Sequence, residues 1–171
     1  MNDKDKAILE RYLNNISEFY AVVAQWLKDK SLSYEERDYQ LNEKISGEYT
    51  AKILSVFSDC NASPLKNDMG SIAEIHPVGA WVIGASGRID LIGDFDQQIL
   101  VYLEKDFEKK TSETVLNDKG PLEISKNSYS PYKGVEHGGW YWIEDRRLGK
   151  AHAVNKELFF ELLAEVTDYE F

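Results

Sequence analysis

At 171 residues, with 43% hydrophobic and 29% charged content, the chain has the make-up of a folded domain with a sizeable core. Its 30 acidic and 20 basic residues give a formal net charge of −10, which speaks against direct nucleic-acid or anionic-membrane binding, since both need a positive surface. No apolar run reaches the roughly 20 residues of a membrane helix, MNDKDKAILE has no apolar stretch behind a basic start, and the lone Cys60 forbids an internal disulfide; the expectation is a cytoplasmic protein.

Residues 3–29 read as a long amphipathic helix. Leu9, Leu13, Ile16, Tyr20, Val23 and Leu27 recur every three or four positions, and Asn2 or Asp3 supplies the cap. Ser33 with Glu36 three residues on has the form of a capping box. It predicts a second helix to about Ser58, carrying Leu41, Ile45, Tyr49, Ile53, Val56 and Phe57, so that 1–60 would be a helical hairpin. Gly47 inside that helix weakens it. Residues 59–71 read as a loop by composition. Ile72 to Ile75 reads as a short strand stopping before His76-Pro77, because proline lacks the amide donor.

The densest β-forming sequence is Gly79 to Lys105. Trp81–Ala85 and Ile99–Leu103 are short apolar runs. Arg88–Ile92 alternates, with Ile89 and Leu91 on one side and Arg88 and Asp90 on the other. Ser86-Gly87 and Gly93–Gln97 are turn-length connections, which predicts a three-stranded antiparallel meander over 79–105. Glu104–Lys119 is charged and poorly periodic and fits either a strand extension or a short helix. Gly120–Gly139 reads as one long loop. A strand pair is expected near 139–154. Gly139–Glu144 places Trp140 and Trp142 on one face and Tyr141 and Ile143 on the other, and Lys150–Val154 returns beside it. Asn155 caps a last helix with Leu158, Phe159, Leu162, Leu163 and Val166. The order predicts one α+β domain over 1–171, its mainly antiparallel sheet covered by the helical hairpin (1–60) and the C-terminal helix.

The aromatic-rich segment 129–147 is the leading candidate surface, through Tyr129, Tyr132, His137, Trp140, Trp142, Asp145 and Arg146. Aromatics and arginine dominate binding hot spots, and neighbouring glycines let a loop fit a partner. The bland alternative is that both tryptophans are core. Asp90, Asp94, Asp96 and Glu104 lie on predicted adjacent strands and their turn, and could converge on a hard cation; turn and edge solubility explains them equally well. His76, His137 and His152 lack zinc spacing. No catalytic residue and no cofactor is assigned. The leading expectation is a protein-binding module of immunity or inhibitor type, with a protein partner for which a basic surface is the natural complement. A metal-dependent hydrolase or nuclease, and a DNA-mimicking antirestriction protein, stand as alternatives.

Overall fold

The computed structural model of the protein describes residues 2–58, 70–104, 110–117, 120–127, 132–145 and 147–171. The predicted first helix forms as α1, Asp3–Asp29, and the Asn2 side chain caps it by accepting from the Asp5 amide at 2.9 Å. Ser31 adopts a left-handed backbone (φ 58°) and the Leu32 amide donates back to the Leu27 carbonyl, which ends the helix.

The expected second helix is instead a β-hairpin. β1 (Ser33–Glu43) and β2 (Gly47–Phe57) pair antiparallel in unbroken register from Ser33↔Phe57 to Glu43↔Gly47. Two features override the capping-box signal. Gly47 holds φ 72° where the chain must reverse, a conformation glycine takes without steric cost. The apolar set of β2 also alternates: Leu54 and Val56 face the helices, while Ile53 and Ser55 face away.

The sheet continues through β3 (Ala73–Gly79), β4 (Arg88–Gly93), β5 (Gln97–Leu103), β8 (Gly139–Asp145) and β9 (Lys150–Ala153). These seven strands form one antiparallel sheet in the order β1-β2-β3-β4-β5-β8-β9. The meander and the late strand pair are therefore present, with two corrections to the meander. Trp81–Ala85 is a tight turn closed by the Val82↔Ala85 bridge, and β3 takes its expected place beside β4. β3 also runs through His76-Pro77, with a register shift between Pro77 and Gly79. The turn forms because Glu43 accepts the Ala80 and Trp81 amides and because Gly84 and Gly87 both take positive φ.

The stretch read as a single loop also holds a strand: β7 (Gly120–Asn127) pairs with β6 (Lys110–Asn117) as a separate two-stranded sheet.

Both helices lie on one face of the large sheet. Tyr12, Ile16, Phe19, Tyr20, Val23 and Leu27 of α1, and Phe159, Phe160, Leu162, Leu163 and Val166 of α2 (Lys156–Val166), share one core with Leu54, Ile75, Ile89, Leu91, Leu100 and Trp140. Buried hydroxyls fix α1 to the strands. Tyr12 donates to the Arg88 carbonyl (2.8 Å) and accepts from the Gly79 amide (3.1 Å), and Tyr20 lies within 2.9 Å of the Lys52 and Ile75 carbonyls. The opposite face carries a smaller cluster of Ala85, Val101, Leu103, Tyr141, Ile143 and Ala151. No described helix is long and apolar enough to cross a membrane.

Candidate functional site: a groove beside the last hairpin

β8 and β9 register Trp142 opposite His152, both on the helix-bearing face. The two rings lie 5.7 Å apart at 33°, and the Trp142 indole donates to Gln98 at 2.8 Å. Asn155 ends β9 and starts α2, its side chain accepting from the Leu158 amide at 2.9 Å. This junction opens a groove of about 880 Å³. Trp142 and His152 line its sheet side, and Glu157, Leu158 and Glu161 line its helix side.

Glu144 also lines the groove, held 2.7 Å from His152 Nε2. That hydrogen bond, with the nearby Lys150 charge, lowers the Glu144 carboxyl below its ordinary range. Lys133 and Lys150 flank the same groove. Glu157 and Glu161 sit one helical turn apart, and neither is in an ion pair among the described residues. An aromatic face beside two carboxylates outside any such ion pair is suited to a cation, by ring quadrupole and by charge.

The residues expected to form one surface are distributed by the strand's alternation. Trp142 lines the groove. Trp140, two positions earlier, is 7% exposed; it packs on Phe19 and Tyr102 and donates to the Asn15 carbonyl at 3.2 Å, so it belongs to the core. Tyr132 packs against the cluster on the opposite face. His137 is exposed; its ring lies 6.1 Å from that of Tyr141, whose hydroxyl donates to the His137 carbonyl. Asp145 caps its own turn by accepting the Arg147 and Leu148 amides. Tyr129 and Arg146, like Cys60, lie outside the described residues. The sequence reading weighed His152 only as a zinc ligand and missed Glu144, Glu157 and Glu161. Their signal was the pairing of Lys150–Val154 onto Gly139–Glu144 together with the spacing that follows the Asn155 cap.

The four candidate metal carboxylates do not converge. Asp90 is buried and chelated by Arg88, with both contacts at 2.7 Å. Glu104 follows the far end of β5, where Arg11 (3.2 Å) and Ser86 (2.8 Å) hold it. Asp94 and Asp96 occupy the exposed turn at the other end of that strand, and Asp96 caps the Gln97 amide. Among the described residues no three His, Cys, Asp or Glu side chains come together as a metal-holding group.

A second polar centre lies on the helix-free face. Glu74 accepts from Ser55 (2.8 Å), from Arg37 (3.1 and 3.2 Å) and stands 2.7 Å from His76 Nε2. Partial desolvation pushes this carboxyl up. The hydrogen bonds from His76, Ser55 and Arg37, with the Arg37 charge, outweigh it and hold the group at about 2. With every donor aimed at one carboxylate, this centre is a structural tie between β1, β2 and β3. No family model matches the chain, and neither a curated protein nor a solved structure matches it.

Proposed function

We propose that this chain is a protein-binding module and that the groove between the last hairpin and α2 receives a basic side chain of its partner. One observation carries the reading: Trp142 lines a groove beside Glu157 and Glu161, neither of them ion-paired among the described residues, while Trp140 on the same strand is committed to the core. The net charge of −10 acts in the same direction, since it draws a positive partner from a distance before the groove selects it. A module of this kind suits an inhibitor or immunity role, in which a small acidic protein covers a basic surface.

The test is affinity capture on the immobilised wild-type chain beside Trp142→Ala and Glu157→Lys variants. A partner retained by the wild type should be lost from both, with a binding loss of about 2 kcal/mol or more for Trp142→Ala. Circular dichroism should show the variants folded. Equal retention by all three proteins would remove the groove from the interface.

A further inference from the structure

The two edges of the seven-stranded sheet are treated differently. β9 is four residues long, and the chain doubles back over it: Lys133 bridges Lys150 in parallel, and the Lys133 amide donates to the Gly149 carbonyl at 2.8 Å. β1, the other edge, is eleven residues long and continues in register along its whole length, with no bulge, glycine or proline. Among the described residues no strand pairs with its outer side. About half of its main-chain donors and acceptors therefore point outward, over a length of roughly 36 Å. Long regular edges are ordinarily blunted by shortening, bulges or proline. β1 has none of these and carries only charge.

That charge is one-sided. Glu35, Glu36 and Asp38 are exposed; the strand's single cation, Arg37, is bound to Glu74, and Asp38 pairs with Lys52 at 3.2 Å, which leaves Glu35 and Glu36 outside any ion pair among the described residues. The charge also sets what can pair there. Two copies of β1 joined antiparallel about a two-fold axis must oppose residues from the same face. The longest such registers set Asp38 against Asp38, Arg37 against Arg37, or Glu35 against Glu43. Like charges directly opposite are destabilising.

The geometry points to β1 as the site where an extended, lysine- or arginine-bearing segment of another protein adds as an eighth strand. Main-chain hydrogen bonds supply the attachment, and basic side chains on one face of the added strand meet Glu36 while those on the other face meet Glu35. This surface lies at the opposite edge from the Trp142 groove, roughly 30 Å across at about 4.8 Å per strand, and does not depend on that reading.

The test is titration of the full chain, at low ionic strength, with a peptide of about nine residues alternating lysine and valine. Three controls accompany it: the same peptide with glutamate for lysine, the lysine peptide N-methylated at alternate residues, and a Glu35→Lys/Glu36→Lys variant. The lysine peptide should protect β1 amides from hydrogen exchange. The glutamate peptide, the N-methylated peptide and the double variant should each bind at least about tenfold more weakly. Trp142→Ala should bind the lysine peptide as the wild type does. The proposal is overturned by absence of binding, by protection outside residues 33–43, by indifference to N-methylation or charge reversal, or by loss of binding in Trp142→Ala, which would place the peptide in the groove.

Discussion

Tyr12 joins three elements through one oxygen. Its side chain is fully buried, and burial pushes its phenol well above the ordinary range, so the proton stays in place to reach the Arg88 carbonyl. Tyr12→Phe keeps the ring but strands that carbonyl and the Gly79 amide. A loss of about 2–3 kcal/mol in a urea melt is expected, with an unchanged slope. Glu74 makes the fold pH-sensitive at its other face. Its folded pKa, about 2, lies below the ordinary 4.5, so its contribution is complete above about 4.5 and disappears as pH falls through about 2. Glu74→Gln has no such contribution to lose. Its melting temperature should fall less steeply than that of the wild type across that window, measured by thermal denaturation at stepped pH.

The turn between β4 and β5 clasps the C-terminal end of α2. The Phe95 amide donates to the Val166 carbonyl at 3.2 Å, and a methyl group at Gly93 would collide with that same carbonyl. Because the obstacle is backbone, Gly93→Ala should cost about 1–3 kcal/mol and speed amide exchange in the last turn of α2. α1, α2, β4, β5, β8 and β9 were legible in the sequence because each carries its own periodicity and, for the helices, its own cap. The β1–β2 hairpin was not. Its first half is glutamate-rich and opens on a capping-box pattern, and the decisive signal, Gly47 at the reversal, looked like a flaw in a helix. β7 was missed, and β6 was left undecided between strand and helix, because neither has a continuous apolar face. At the site, the shared face of Trp140 and Trp142 was readable from alternation. Which of them reaches solvent was not, since that depends on where Asn15 and Phe19 of α1 come to rest over the sheet.

For the whole molecule, the excess of acids is a cost as well as a lure. A formal charge of −10 works against compaction, and ions screen that repulsion. Raising sodium chloride from low concentration to about 0.5 M should raise the melting temperature while weakening capture of a basic partner. A neutral dependence of both would show that the acids neither repel one another nor steer. The sheet itself is threaded almost wholly between sequence neighbours; its one departure is the step from β5 to β8. There Leu103 stands directly opposite Gly139, so the chain leaves the sheet and re-enters it at adjoining points. Closing such an excursion costs chain entropy only as the logarithm of its length. The span between those two residues is thus the place where this architecture can gain or shed sequence across generations without any strand changing its neighbour.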